Sequence, residues 1–264
     1  MILGGAGFIG SHLTDAYLRA GTDKVVTVDN LSMTPDLYNL QFARNHKNDR
    51  HTFYLANALD LNIMRKVINL ERPDVLVDCT GSTAAHCALH YDGKLLDNVS
   101  SYTLIGLDGW APDKELTKII RLDKVFGGRQ FNGPVPFWSL ELLKGNELSA
   151  SKKPPRQLSP FENAKVSEWT YIADLIRAMC LIIDKGTEDE YLVSSGWPAT
   201  EAQMQGIMSK IARKPDVLES NLETHRKARG PMSLGWKPTR SLEESLEATM
   251  AWYQLNSWAF RQDR

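Results

Sequence analysis

Short apolar runs and helical stripes alternate along the first hundred residues. Ile2 and Leu3 form a strand stub ahead of a glycine cluster. Residues 11–20 place Leu13, Ala16, Tyr17 and Ala20 on one face of a helix, with Gly21 as its stop. Residues 25–28, 52–55 and 75–77 read as buried strands, and residues 62–70 as a helix with Ile63, Val67 and Leu70 in phase. Strands and helices in alternation imply a parallel sheet with right-handed crossovers. From residue 87 to about 107 the pattern reads as one long, interrupted helix, and residues 118–122 as a further strand.

The texture then changes. Residues 149–165 are polar and carry Pro154, Pro155 and Pro160, which marks a surface loop. Residues 171–185 form a strong helix ended by Gly186, and residues 191–194 a strand. Residues 201–212 are helical with Met204, Ile207, Met208 and Ile211 inward. Ser241 and Glu244 form a capping box ahead of a last helix with Leu242, Leu246, Met250 and Tyr253 as its apolar stripe.

Composition narrows the class. The chain has 264 residues, 42% hydrophobic and 24% charged, which excludes a disordered tail and a small disulfide scaffold. Lys plus Arg is 31 against 32 for Asp plus Glu, so no global field favours nucleic acid or an anionic membrane. No apolar run reaches the roughly eighteen residues of a membrane span. Three cysteines point to a reduced, cytoplasmic setting, and the first residues lack the basic and cleavable features of a signal peptide.

The strongest chemical signal is Gly4-Gly5-Ala6-Gly7-Phe8-Ile9-Gly10, between the strand stub and the first helix. Glycines let the chain turn tightly and let a pyrophosphate reach backbone N–H groups at a helix start. Asp29 ends the second strand, nineteen residues after Gly10. A carboxylate there accepts from the adenosine ribose hydroxyls and repels a 2′-phosphate, which favours NAD over NADP. The expectation is a Rossmann-type doubly wound parallel sheet, shortened, over residues 1–115, with a C-terminal α/β domain of substrate-binding type over residues 116–264.

With these residues in place, the sequence resembles the extended short-chain dehydrogenase/reductase family, and within it the nucleotide-sugar epimerases and 4,6-dehydratases. The resembling stretches are 4–13, 25–32, 53–60, 72–82, 126–131, 168–179 and 234–253. The resemblance implies that Gly4, Gly7, Phe8, Ile9 and Gly10 form the pyrophosphate loop. It puts Asp29, Asn30 and Ser32 on the adenosine ribose, Asn57 and Ala58 beside the adenine, and Thr80 and Gly81 where small residues pass the cofactor. Asn98 matches an asparagine of the family's Thr-Asn-Val turn.

The departures concern catalysis. The family uses Tyr-x-x-x-Lys on a helix, the lysine lowering the phenol's pKa so that it takes a sugar hydroxyl proton. None of the eight tyrosines has Lys four residues later, and Tyr91, with Lys94 at three, lies in a Tyr-Asp-Gly-Lys turn. Only 22 residues separate Asn98 from Arg121, against about thirty for a strand–helix–strand unit. The strand, the catalytic helix and their loops are therefore expected to be missing, and no catalytic residue is assigned. The family's Arg-Asp-Trp reads Ser167-Glu168-Trp169. Arg121, Lys124 and Gln130, with Arg129, remain as candidates to face a nucleotide sugar; a solvated basic loop is the competing reading.

Cys79, His86, Cys87 and His90 lack the short spacing of a zinc site, so no metal is expected. His12 reads as packing in the first helical turn, and Trp252, Trp258 and Phe260 as core or interface. Three readings stay open: a non-catalytic relative that keeps the fold and NAD, an active epimerase or dehydratase using other residues, and an assembly subunit with an empty pocket. Loss of a helix would bare an apolar face, so a homo-oligomer or another protein partner is expected there.

Overall fold

The computed structural model describes residues 1–22, 24–34, 37–45, 50–82, 96, 99–106, 117–148, 166–212 and 227–260. Its strands are β1 (Ile2–Leu3), β2 (Val25–Asp29), β3 (His51–Leu55), β4 (Val75–Asp78), β5 (Ser101–Gly106), β6 (Thr117–Leu122), β7 (Lys124–Phe126), β8 (Ser167–Tyr171), β9 (Glu190–Val193) and β10 (Trp197–Ala199). The helices described are α1 (Phe8–Ala20), α2 (Gln41–Asn45), α3 (Leu61–Glu71), α4 (Pro134–Leu143), α5 (Ile172–Lys185), α6 (Glu201–Ile211) and α7 (Leu242–Leu255). Two compact units result. The first holds Met1–Leu122, Ile176–Val193 and Gly230–Trp236; the second holds Asp123–Leu175, Ser194–Arg229 and Lys237–Arg264.

The first unit is built on a parallel sheet in the order β3-β2-β1-β4-β5-β6-β9. This is the doubly wound arrangement, and its strand order reverses between β1 and β4. The stub β1 is held on both sides, Leu3 standing opposite Val28 on β2 and Asp78 on β4. Both faces of the central strands are covered, so they read as continuous apolar runs. Leu3, Val28, Leu76, Tyr102 and Leu104 pack against Met64, Val67 and Ile68 of α3.

Several expectations shift. The stripe of α3 that meets the sheet is Met64, Val67 and Ile68; Ile63 and Leu70, on adjoining faces, are exposed. Ala20 of α1 is exposed while Thr14 and Leu18 are buried. Residues 101–106, expected within a long helix, form β5, in register with β4 (Val75 to Ser101) and β6 (Tyr102 to Thr117). The run Tyr102-Thr103-Leu104-Ile105 is apolar on both faces and rich in β-favouring types; periodicity alone does not separate such a run from a buried helix. The expected loss of a strand is thus corrected: β5 is present, and residues 107–116 alone join it to β6. On these strands Leu104, Ile105, Ile119 and Ile120 are buried.

The second unit has a three-stranded sheet, β10-β8-β7, with β7 parallel and β10 antiparallel to β8. Neither β7, β8, β10 nor α4 was expected as an element. Phe126, Trp138, Trp169, Met204 and Leu246 form its core, and Trp169 donates its indole N–H to the Ala199 carbonyl at 3.0 Å. The capping box of Ser241 and Glu244 forms as expected, and Leu242, Leu246, Met250 and Tyr253 are buried.

Candidate functional site

The glycine turn leaves β1 at the point where the strand order reverses, which is where open α/β sheets place ligands. Gly4 adopts φ +68°, and its N–H donates to the Val28 carbonyl at 2.8 Å. A Cβ on Gly4 would lie 2.9 Å from the backbone of Cys79, so the turn is pressed against the end of β4. A Cβ on Gly10 would lie 2.2 Å from the Gly4 carbonyl oxygen, so α1 crosses the turn at backbone contact. The α1 N-terminus begins at Gly7 with no side-chain cap and no acidic residue in its first turn. Phe8 and Ile9 are half-buried in that turn, and the ring of His12 meets that of Phe8 edge-on at 5.9 Å. Uncapped N–H groups and the positive helix end suit an anion.

Asp29 closes β2 and grips the same turn. Its Oδ2 accepts from the Ala6 N–H at 3.0 Å and its Oδ1 from the Leu31 N–H at 2.7 Å. A carboxylate has about four acceptor positions, so two remain for a ribose diol. Leu31 takes φ +59°, a left-handed value uncommon for such a side chain. Asn30 is exposed and accepts from the Ser32 N–H at 3.0 Å. Asn57, also exposed, makes the matching turn after β3 by accepting from the Leu59 N–H at 3.0 Å, and Ala58 beside it is buried.

Sequence reasoning missed two groups that brace this end of the sheet. The Asn39 amide donates to the Ala6 carbonyl at 3.1 Å. Asp78, fully buried at the end of β4, accepts from the Thr80 N–H at 2.8 Å, the Thr80 hydroxyl at 2.6 Å and the Tyr102 hydroxyl at 3.1 Å. Thr80 and Gly81 therefore stand in a turn fixed by Asp78, with Gly81 at φ +65°. An acid closing a strand just before a Thr-Gly pair is the only sequence signal for this network.

Among the described residues, four tyrosines show the opposite of an activated phenol. Tyr54 donates to Glu71 and Tyr17 to Asp184, and Tyr253 donates to the Gln130 carbonyl. Burial pushes the Tyr17, Tyr171 and Tyr253 phenols above their ordinary pKa, and the bond to Glu71, then burial, does so for Tyr54. A proton acceptor needs the opposite shift. Tyr91, Lys94, Asn98, His86, Cys87 and His90 lie outside the described residues. Burial also raises the thiols of Cys79 and Cys180, the latter to about 11, so neither is a ready nucleophile. Among the described residues no three His, Cys, Asp or Glu are grouped to hold a metal, and no helix is long and apolar enough to cross a membrane.

The three expected substrate residues are not brought together in one unit. Arg121, in the first, forms a fork with Glu190 on the adjacent strand, Nη2 to Oε2 at 3.2 Å. Lys124, in the second, donates to the buried Glu201 at 3.1 Å and lies 5.6 Å from the Trp169 ring centroid. Both cations thus have carboxylate partners. Gln130 sits in the turn after β7, and its side-chain oxygen is buried with no hydrogen-bond partner among the described residues.

A glycine turn at the switch point, an uncapped helix start and an acid closing β2 define a Rossmann-type dinucleotide fold. Residues 1–104 match the NAD dependent epimerase/dehydratase family. The dTDP-D-glucose 4,6-dehydratase of Mus musculus is 20% identical over 318 residues, covering 97% of this chain and 88% of the relative. That alignment is longer than the present chain, so the relative carries residues with no counterpart here. The dTDP-glucose 4,6-dehydratase of Bacillus anthracis, solved in complex with NAD, superposes with a TM-score of 0.76 at 16% identity, over 98% of this chain and 97% of that one. The UDP-glucose 4-epimerase of Thermotoga maritima, solved with UDP-glucose, gives 0.72 at 21% identity, over 97% and 98%. Over its first 104 residues the chain is thus similar to the NAD dependent epimerase/dehydratase family, and its fold is the one these solved dehydratases and epimerases have.

Proposed function

We propose that this chain binds NAD through its first unit and a nucleotide sugar through its second, without the tyrosine–lysine proton transfer of its relatives. The observation that carries this reading is a contrast within one sheet. The turn at β1 and β4 has the backbone contacts and the carboxylate a dinucleotide needs, whereas β5 and β6 are joined by residues 107–116 alone. Parallel strands joined through a helix take about a dozen or more connecting residues, and this stretch contains no tyrosine.

The residues present fit NAD. The space a Cβ would fill at Gly4 and Gly10 is already at backbone contact, so the turn is preformed, and Asp29 keeps acceptor capacity after bonding Ala6 and Leu31. Gly4, Gly7, Phe8, Ile9 and Gly10 would hold the pyrophosphate. Asp29, Asn30 and Ser32 would hold the adenosine ribose, Asn57 and Ala58 the adenine, and Thr80 and Gly81 the inner part of the cofactor. Bound NAD would supply a hydride acceptor. In the second unit Arg129 and Gln130 are the residues assigned to the nucleotide sugar, Gln130 because its side-chain oxygen is buried with no donor among the described residues. The sparing use of cysteine supports a cytoplasmic setting, and a homo-oligomer or a protein partner completes the proposal.

Calorimetry with NAD tests the reading. Binding is expected in the wild type and about 10- to 100-fold weaker in Asp29→Ala, the weight of hydrogen bonds to a charged acceptor. Turnover of UDP- or dTDP-glucose is expected to be absent. Steady turnover lost in Asp29→Ala would establish an active enzyme instead, and no NAD binding at all would leave an assembly subunit.

A further inference from the structure

We infer that the aromatic end of α7 is a clasp that shapes the turn after β7 for nucleotide-sugar binding, with Tyr253 as its positioning residue. The inference rests on the reading that this turn meets the sugar nucleotide. It adds a helix more than a hundred residues away in sequence as the part that sets the turn's geometry.

The turn, residues 127–131, is not relaxed. Arg129 takes φ +66°, a left-handed conformation that a side chain with a Cβ disfavours and that persists only when the surroundings impose it. Those surroundings come from α7 and the 3₁₀ turn Ser257–Phe260 that follows it. The Tyr253 hydroxyl donates to the Gln130 carbonyl at 2.6 Å and lies 3.3 Å from the Gly127 carbonyl. One buried donor thus draws together the carbonyls on either side of Arg129. Gly128 lies flat on the Trp252 indole, where a Cβ would come within 2.6 Å of the ring. Phe131 stacks on Phe260 at 4.6 Å, and Phe260 is steadied by Tyr253 at 5.3 Å and by Trp252, edge-on, at 6.2 Å. Residues 127, 128, 130 and 131 are each held, and Arg129 is carried between them.

The same grip fixes Gln130, whose side-chain oxygen is buried with no donor among the described residues. A buried acceptor without a donor is costly until a ligand supplies one. A sugar hydroxyl or a pyrimidine imide N–H is such a donor, and the neighbouring Arg129 suits a diphosphate. Without the Tyr253 hydroxyl, two carbonyls lose their shared donor and only the contacts of Gly128 and Phe131 with the aromatic rings oppose the left-handed residue, so the turn relaxes and Gln130 moves with it.

The test uses the full chain and two readouts. Trypsin cleavage after Arg129, mapped by mass spectrometry, is expected to be at least tenfold faster in Tyr253→Phe than in the wild type, with cleavage after Arg240 unchanged. Calorimetry is expected to show binding of UDP- or dTDP-glucose about tenfold weaker in Tyr253→Phe, with NAD affinity kept. If Tyr253→Phe does not fold, Phe260→Leu, at the half-exposed end of the cluster, serves for both readouts. Equal cleavage after Arg129 in a folded variant overturns the clasp, as does equally faster cleavage at every site. Altered cleavage with unchanged sugar-nucleotide affinity overturns its role in binding. A wild type that binds no sugar nucleotide overturns the underlying reading, while the cleavage still decides whether the clasp exists.

Discussion

The two halves of the seven-stranded sheet are finished to different standards. Around β1 and β4 every backbone approach is close: the turn touches the end of β4, α1 touches the turn, and Asp29 ties both to β2. Around β5 and β6 the strands pair in full register, yet the connection between them is residues 107–116 alone. On the proposed reading, cofactor binding and proton handling are separable in this architecture: the turn at β1 and β4 keeps its geometry whether or not the connection from β5 to β6 has room for a helix.

The largest effect that would sharpen this contrast is a pair of glycine substitutions. Gly10→Ala places a methyl 2.2 Å from the Gly4 carbonyl oxygen, a backbone atom that cannot swing aside. A loss of about 3 kcal/mol in urea unfolding is expected, together with the disappearance of NAD binding in calorimetry. Gly106→Ala, at the end of β5, meets nothing closer than 4.0 Å among the described residues and is expected to change both by little. Equal tolerance at both positions would show that the dinucleotide end is no more tightly built than the β5 end.

What could be read beforehand follows the same line. Gly4, Gly7, Gly10 and Asp29 were legible because their roles are local: a turn, a helix start and a strand end within one βαβ unit. The strand β5 was not, because Tyr102 to Ile105 is apolar on both faces and carries no period. The stripe of α3 was misjudged by one face, since only the sheet decides that Met64 and Ile68 turn inward. Partners distant in sequence were invisible. Arg121 meets Glu190 across 69 positions and Lys124 meets Glu201 across 77, so two cations that looked available for phosphate are engaged with carboxylates.

A middle-sized effect joins the two regions. Tyr102 on β5 donates to Asp78 at the end of β4, and both are buried. Tyr102→Phe leaves the carboxylate with its Thr80 bonds but removes the phenol, and a loss of about 1–3 kcal/mol is expected in denaturant unfolding. Because the Tyr102 hydroxyl serves as a brace and not as a proton acceptor, NAD affinity is expected to fall by no more than a few-fold. A collapse of NAD affinity at unchanged stability would move Tyr102 from the brace into the binding site.

The smallest effect concerns the far edge of the dinucleotide half. His51 on β3 has its Nε2 2.9 Å from the Thr27 hydroxyl, and burial lowers its pKa below the ordinary imidazole value. The neutral ring is the folded form, so the unfolded chain takes up a proton first as the pH falls. Stability from this residue is therefore complete above about pH 6.5 and declines as the pH drops from there towards the folded-state value. The ring is only partly buried, so a fall in melting temperature on the order of a degree or two between pH 7.5 and 5.5 is expected from it. His51→Gln keeps a polar partner for Thr27 without a titrating group, and its melting temperature should fall less over that interval, the amine of Met1 and other groups contributing equally to both proteins. An identical fall in both would mean that His51 protonates as readily folded as unfolded, and that the β3 edge is wetter than the strands beside the cofactor turn.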